Sequence, residues 1–123
     1  MAKKILIVED EQAFHELYAA IFEERDYDLI FAYDGDEAMM KLEETKPDLI
    51  LLDMLMDMVT GDTFFLHLKG MPEYEDIPVI IISACSQKQY KNLKKLDPNV
   101  VYIEKPYLTK EKLLDEVDKK LSP

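Results

Sequence analysis

The sequence predicts an α/β fold in which five parallel strands form one sheet with helices on both faces. Three observations lead to this prediction: short apolar runs recur along the chain, amphipathic helical patterns separate them, and the two kinds of segment alternate five times. Such alternation is typical of a parallel sheet, because the crossover between parallel strands is right-handed and usually helical. With 123 residues the chain has the size of one domain, which we expect to span residues 1–123.

The strand candidates are runs of consecutive apolar residues, which is the pattern of parallel strands buried on both faces. The second run is the weakest of the five. The runs cover residues 5–8, 29–32, 49–52, 79–82 and 100–103.

The helix candidates show apolar residues at spacings of three and four. The first helix carries such a stripe, formed by Phe14, Leu17, Tyr18, Ile21 and Phe22. The second covers about 36–46 and ends before Pro47, since the residue before a proline disfavours helix. The third ends at Gly70 and the fourth before Pro98, while Thr109 can cap the fifth with Glu111 in its first turn.

Composition excludes several classes of function. With 26 acidic and 15 basic residues the net charge is -11, so the surface should repel nucleic acid and anionic membranes, and we expect no direct binding to either. No apolar run approaches the roughly 18 residues of a membrane span. The single cysteine, Cys85, fits a reducing cytoplasm, and we expect a cytoplasmic protein. His15 and His67 lie in helical patterns and are predicted to be surface residues.

Chemistry is expected where the strands end, because ligands of such folds bind beyond the carboxyl ends of the strands. Glu9 and Asp10 follow the first run, Asp53 the third, Ser83 the fourth and Lys105 the fifth. In the strand order 2-1-3-4-5, strands one, three and four are neighbours about 4.8 Å apart. Lys105 then starts roughly 10 Å from Asp53, a gap that only a long side chain can cover.

These side chains form a set suited to phosphoryl transfer. Carboxylates about 5 Å apart repel by roughly 3 kcal/mol at an effective dielectric near 20, so the acidic cluster calls for a cation, and Mg²⁺ suits carboxylate ligands and phosphate oxygens. Asp53 can attack phosphorus as a nucleophile, while Lys105 and the Ser83 hydroxyl can hold phosphoryl oxygens. The sequence therefore predicts an aspartyl phosphate at Asp53.

Four sequence blocks together carry a resemblance to a known family. The blocks are Ile-Leu-Ile-Val-Glu9-Asp10-Glu11, Asp48-Leu-Ile-Leu-Leu-Asp53-Met54, Ile82-Ser83-Ala84 and Tyr102-Ile-Glu-Lys105-Pro106-Tyr107. With these blocks in this order, the chain resembles the receiver domains of two-component response regulators, a chemotaxis-regulator-like family with a flavodoxin-like fold, over essentially its whole length. The resemblance implies a phosphorelay protein that catalyses only its own phosphorylation and dephosphorylation and is not otherwise an enzyme.

The resemblance also implies a metal site and a switch. Glu9, Asp10 and the phosphoacceptor Asp53 would bind Mg²⁺ together with the backbone carbonyl of Leu55. The switch would consist of Ser83, whose hydroxyl meets the phosphoryl group, and of Tyr102, whose ring then turns inward. Lys105 would bind the phosphoryl group, and the bond before Pro106 is typically cis in this family.

The resemblance further implies partners. A sensor histidine kinase or a phosphotransfer protein would donate the phosphoryl group, and a downstream protein would read the switched surface; a homodimer is left open. After Pro106 only one more helix fits, so the chain is either a free-standing receiver or part of a larger regulator or hybrid kinase.

The sequence departs from the family pattern near the site. Asp57 stands where the family usually has proline, and residues 97–100 replace its usual Ala-Gly-Ala-Asp stretch. Leu55 and Cys85 offer no strong hydrogen bond to an attacking water, which predicts a long-lived phosphorylated state. The altered loop leaves one alternative open, a phosphate-independent interaction module. A phosphate-ester hydrolase expects aspartate at the position of Leu55, and flavin binding does not fit the acidic turn after the first strand.

Overall fold

Five parallel strands form a single sheet in the order β2-β1-β3-β4-β5, which confirms the predicted architecture. The computed structural model describes residues 2–53, 61–84 and 90–122. The strands are β1 (Lys3–Val8), β2 (Tyr27–Ala32), β3 (Leu49–Asp53), β4 (Val79–Ser83) and β5 (Val101–Glu104). Each strand neighbours its partner in parallel register, with Val8 beside Leu52 and Ser83 beside Glu104. The carboxyl ends of β1, β3 and β4 therefore meet at one edge of the sheet.

Helices connect the strands as the amphipathic patterns predicted. They are α1 (Gln12–Ile21), α2 (Gly35–Glu44), α3 (Gly61–Lys69), α4 (Tyr90–Leu96) and α5 (Lys110–Leu121), with short 3₁₀ turns at Phe22–Glu24 and Lys105–Tyr107. The predicted cap of α5 is confirmed, since Thr109 Oγ1 accepts the backbone N–H of Lys112 at 3.1 Å. Asp34 caps α2 in the same way through the N–H of Glu37.

Two apolar layers lie on opposite faces of the sheet because successive side chains of a buried strand point to opposite sides. One layer joins the sheet to α2, α3 and α4, and includes Leu6, Ile50, Phe64, Leu68, Leu93 and Tyr102. The other joins the sheet to α1 and α5, and includes Ile5, Leu51, Tyr18, Phe22, Leu113 and Val117. Helices thus cover both faces with apolar layers, so a polar site has room at the edges of the sheet.

A buried ion pair lies near the amino ends of β4 and β5. Lys69, the last residue of α3, lies with its Nζ 3.0 Å from Asp97 Oδ2, and its side chain is only 7% exposed. The same ammonium group donates to the backbone carbonyls of Glu75 and Ile77, each at 3.0 Å. Lys69 thereby ties α3 to the segments that enter both strands. In the described part of the chain, no helix is both long and apolar enough to cross a membrane.

Candidate functional site

Three carboxylates meet at the carboxyl edge of the sheet. Glu9 and Asp10 follow β1, and Asp53 is the last residue of β3. One carboxylate oxygen from each residue lies within 4.8 Å of the other two. Glu9 and Asp53 are buried, at 1% and 4% exposure, and Asp10 is partly buried. The structure thus brings together the acidic residues that the strand order placed at one edge.

Backbone hydrogen bonds hold Glu9 in this position. Its N–H donates to the carbonyl of Ala32 at 3.0 Å, so the pairing of β1 with β2 continues one residue past the end of β1. Its side-chain Oε2 accepts the N–H of Glu11 at 3.2 Å. Glu9 is therefore held from both its main chain and its side chain, and its other carboxylate oxygen faces the cluster.

Lys105 reaches this cluster from the far side of the sheet. It begins the 3₁₀ turn after β5, and its Nζ lies 3.0 Å from Glu9 Oε1, 3.6 Å from Asp53 Oδ2 and 3.9 Å from Glu11 Oε1. The side chain is 13% exposed. One ammonium group thus faces three carboxylates, and the site carries an excess of negative charge.

The pKa of Glu9 reflects this excess of negative charge. The pKa of Glu9 is raised from 4.5 to about 8, first by burial and then by the charge of Asp53, and Lys105 only partly opposes the rise. Burial would lower the pKa of Lys105, but the contact with Glu9 and the charges of Asp53 and Glu11 outweigh burial and raise it. Without a bound cation, the site therefore favours a proton on Glu9 and a charged Lys105 at neutral pH.

The cluster fits a hard divalent cation. Mg²⁺ prefers carboxylate oxygens and is usually bound through one or two of them with several waters. Among the described residues, no donor meets the buried Glu9 Oε1 with hydrogen-bond geometry, even though Lys105 Nζ lies near it. A buried carboxylate oxygen without a hydrogen bond is costly, and a bound cation would satisfy it. Glu9, Asp10 and Asp53 could hold such an ion.

Ser83 lies at the same carboxyl edge as the cluster, and Tyr102 lies on the neighbouring strand β5. Ser83 ends β4 and is fully buried, next to β3 and the Asp53 that ends it. Tyr102 lies in β5, is buried, and belongs to the apolar layer that also contains Leu93 of α4. The ring of Tyr102 is thus inward in this structure and shares a packed layer with α4.

His15 corrects the sequence interpretation. We predicted it at the surface, yet it is buried in α1, and its Nε2–H donates to the backbone carbonyl of Glu9 at 2.5 Å. Its ring also contacts those of Phe31 and Tyr33, with centroids 5.0 and 4.3 Å away. The spacing of three to the buried Tyr18 could have shown that His15 faces inward. His67, in contrast, is exposed as predicted.

Phe14 also has a contact that the sequence did not indicate. The apolar stripe of α1 gave it a packing role, which is correct for part of its surface. Its ring, however, lies beneath the ammonium group of Lys105, with Nζ 4.0 Å from the ring centroid. Spacing along a helix can show which face is apolar, but it cannot show which side chain arrives from another strand.

Two further expectations are settled or left outside the structure. No cis peptide bond occurs among the described residues, so the bond between Lys105 and Pro106 is trans and the cis geometry implied by the resemblance is wrong here. Leu55, Asp57 and Cys85 lie outside the described residues, so the metal ligand, the altered loop and the lifetime effect assigned to them stay predictions.

Comparison with known proteins identifies the family. A family model described as "Response regulator receiver domain" matches residues 5–118. The phosphate regulon transcriptional regulatory protein PhoB of Escherichia coli is 34% identical over 126 residues, covering 100% of this chain and 55% of PhoB. The chain thus spans about half the length of the curated relatives it matches.

Solved structures agree in fold. The signal receiver domain of a signal transduction histidine kinase from Syntrophus aciditrophicus is 34% identical with a TM-score of 0.86, covering 98% of this chain and 91% of that one. The Mn²⁺-bound form of the response regulator Rcp1 is 26% identical with a TM-score of 0.82, covering 95% and 92%. Together the sequence match and the shared fold show that this chain belongs to the response regulator receiver domain family.

Proposed function

We propose that Asp53 accepts a phosphoryl group from a phosphohistidine donor, in a reaction that depends on Mg²⁺ bound by Glu9, Asp10, Asp53 and the backbone carbonyl of Leu55. One observation carries the proposal: three carboxylates lie within 4.8 Å of one another, and Lys105 Nζ lies 3.6 Å from the Asp53 carboxylate. Receiver domains serve two-component signalling, and this cluster is where a phosphorylation and metal site fits.

The chemistry requires few groups. An oxygen of the Asp53 carboxylate attacks phosphorus, the bond between phosphorus and the histidine nitrogen breaks, and the histidine leaves with the electron pair of that bond. Lys105 moves from Glu9 to a phosphoryl oxygen, and the Ser83 hydroxyl donates to another. Bound Mg²⁺ supplies positive charge that offsets the carboxylates and the incoming phosphoryl oxygens. Support for a divalent cation comes from Rcp1, which has been solved with Mn²⁺.

The output of the site is proposed to run through Ser83 and Tyr102. Phosphorylation adds charge and acceptor oxygens beside Ser83, which draws its hydroxyl toward Asp53. Tyr102 lies on the neighbouring strand and shares a packed layer with Leu93 of α4. A shift of Ser83 can therefore change the packing of α4 and expose an altered surface to a downstream protein.

The proposed partners follow from the family and its members. The donor is a sensor histidine kinase or a phosphotransfer protein, since receiver domains act with these proteins in two-component systems. The relatives include a transcriptional regulatory protein and a hybrid signal transduction histidine kinase, so receivers of this kind occur within longer proteins of both types. Residues 1–123 form the receiver in either setting.

Acetyl phosphate provides a direct test. We expect wild-type protein with Mg²⁺ to gain the mass of one phosphoryl group, and borohydride trapping followed by tandem mass spectrometry to locate it at Asp53. Chelation of Mg²⁺ or the variant Asp53→Asn should abolish the gain. Asp28→Asn, which changes an exposed carboxylate on β2, is the matched control and should react like wild type. Failure of the wild type to gain mass with Mg²⁺ would favour the phosphate-independent module.

A further inference from the structure

The ammonium group of Lys105 rests on an aromatic ring as well as on carboxylates. Its Nζ lies over the Phe14 ring at 4.0 Å from the centroid, well inside the roughly 6 Å within which a cation is attracted to a ring face. The attraction is strongest when the cation is desolvated, and the Lys105 side chain is only 13% exposed. The attraction between the Lys105 ammonium group and the Phe14 ring is therefore only weakly screened by water.

The Phe14 ring is held in place from below. Phe14 is the third residue of α1, and its ring packs against the apolar layer between the sheet, α1 and α5. One turn later Tyr18 contacts it, with ring centroids 6.1 Å apart, and Tyr18 is itself fully buried. The ring cannot move away from Lys105 without disturbing this layer, so it offers the lysine a fixed surface.

A neutral ring meets a need that another carboxylate could not meet. Lysine ends in a compact charge on a flexible four-carbon chain, so something must limit where its ammonium group goes. Glu9, Asp53 and Glu11 already surround it at 3.0, 3.6 and 3.9 Å. A fourth acid would add to the repulsion and compete with the phosphoryl group. The ring attracts the ammonium group without adding charge, and it stays available when Lys105 exchanges Glu9 for a phosphoryl oxygen.

We propose that Phe14 is a positioning residue for phosphoryl transfer, which holds the Lys105 ammonium group beside Asp53 through the face of its ring. The proposal rests on the phosphoacceptor function proposed above. It predicts that the electronic character of the ring matters, and not only its size, because the attraction arises from the negative face of the aromatic system.

The main experiment measures how fast Asp53 is phosphorylated by acetyl phosphate with Mg²⁺ in variants of position 14. We expect Phe14→Leu to lower the second-order rate constant about three- to tenfold, in line with the loss of a partly desolvated cation–π contact. Phe14→Tyr should keep a rate near that of the wild type. Replacing Phe14 by phenylalanines with one, two and three ring fluorines should lower the rate stepwise, since fluorine weakens the negative face while the shape changes little.

Two controls separate positioning from stability. Phe22→Leu changes a buried phenylalanine of the same apolar layer, so it should lower the free energy of unfolding without changing the rate. In a Lys105→Met background, Phe14→Leu should have no further effect on the rate, because the group that it positions is absent. A second loss of three- to tenfold in that background would contradict the proposal.

A magnetic resonance measurement tests the contact without any phosphate chemistry. In the wild type the ring current of Phe14 should move the Hε resonances of Lys105 upfield of those of the other lysines, and Phe14→Leu should remove the displacement. If the proteins with fluorinated phenylalanine at position 14 are phosphorylated as fast as the wild type, the positioning role is wrong while the phosphoacceptor function stands. If the Lys105 resonances are displaced but Asp53 is never phosphorylated, the phosphoacceptor function fails, and the positioning role fails with it.

Discussion

Two buried lysines at opposite edges of the sheet show how similar ion pairs can serve different ends. Lys69, at the amino edge, faces one carboxylate and two backbone carbonyls, each 3.0 Å from its Nζ. Lys105, at the carboxyl edge, faces three carboxylates at 3.0 to 3.9 Å. Both are largely buried, at 7% and 13% exposure, and both lie over a phenylalanine ring.

The two lysines differ in the net charge that their contacts leave. At Lys69 one positive charge meets one negative charge, and the carbonyls take up the other donors of the ammonium group. At Lys105 the negative charges exceed the positive, the pKa of Glu9 rises to about 8, and Glu9 Oε1 lacks a hydrogen bond within the described structure. A balanced pair stabilises the fold, whereas an unbalanced cluster is ready to bind a cation and a phosphoryl group.

The largest expected effect on stability comes from breaking the balanced pair. Lys69→Met should lower the free energy of unfolding by about 2–4 kcal/mol, because Asp97 and two carbonyls lose their buried partner. Urea denaturation measures this change, and phosphorylation by acetyl phosphate should continue. Lys119→Met is the matched control, since Lys119 forms an exposed pair with Asp115 and its loss should change the free energy of unfolding far less than the loss of Lys69 does. Equal effects of the two variants would contradict the assignment of Lys69.

Removing a negative charge from the carboxylate cluster should raise the free energy of unfolding, the opposite of the effect expected for Lys69→Met. Glu9 has a pKa of about 8 in the folded protein against 4.5 ordinarily, so between these pH values the unfolded chain binds fewer protons than the folded one. The free energy of unfolding should therefore fall as pH rises from about 5 to 8. Glu9→Gln should remove this slope and be the more stable protein at pH 8, as measured by urea denaturation across pH.

The matched control for the pH experiment is Glu16→Gln, which changes an exposed carboxylate on α1, the helix that follows Glu9 in the chain. It should keep the slope of the wild type. A wild-type stability that rises between pH 5 and 8 would show that Glu9 is ionised in the folded protein, and the excess of charge would then have to be offset in some other way.

Magnesium should stabilise the folded protein by binding at the carboxyl edge of the sheet. A ligand that binds the folded state alone, at ten times its dissociation constant, adds about 1.4 kcal/mol to the free energy of unfolding. We expect this increment for the wild type and for Lys69→Met, whereas Asp10→Asn should lose most of it. Thermal unfolding with Mg²⁺ and with chelator measures the difference. An increment that survives in Asp10→Asn would place the cation elsewhere.

The smallest effect is expected at an exposed ion pair, which shows what burial contributes. Arg25 Nη2 lies 2.9 Å from Asp118 Oδ2, and the Tyr27 hydroxyl donates to the same carboxylate at 2.6 Å. Both charged side chains are about a third exposed, so solvent screens the pair. Arg25→Gln should lower the free energy of unfolding far less than Lys69→Met does in urea denaturation. A loss as large as that of Lys69→Met would show that pairing geometry matters here more than burial.

The sequence predicted the sheet well because its strands are buried on both faces and read as continuous apolar runs. It was less accurate at the ends, where backbone pairing rather than hydrophobicity decides. Lys3 and Lys4 belong to β1 although they are charged, and Asp53 and Ser83 are the last residues of their strands instead of following them. The residue before Pro47 was predicted to end a helix that stops two residues earlier, at Glu44.

The site was predictable in its composition but not in all of its contacts. The order of strands was enough to bring Asp10, Asp53 and Ser83 to one edge, since parallel strands place their carboxyl ends together. The burial of His15 and the contact of Phe14 with Lys105 depend on how α1 packs beside that edge. Such contacts join residues far apart in sequence, and no periodicity within one helix encodes them.

The most direct test of whether the cluster at the carboxyl edge is the phosphoacceptor site is the response of the amide resonances to beryllofluoride with Mg²⁺. Beryllofluoride is an analogue of the phosphoryl group on aspartate. We predict the largest shifts around Glu9, Asp10, Asp53, Ser83 and Lys105, much smaller ones around Lys69, and none of this response in Asp53→Asn. Shifts that are equally large in Asp53→Asn, or that are absent from the carboxyl edge of the wild type, would contradict the conclusion that this unbalanced cluster is the phosphoacceptor site.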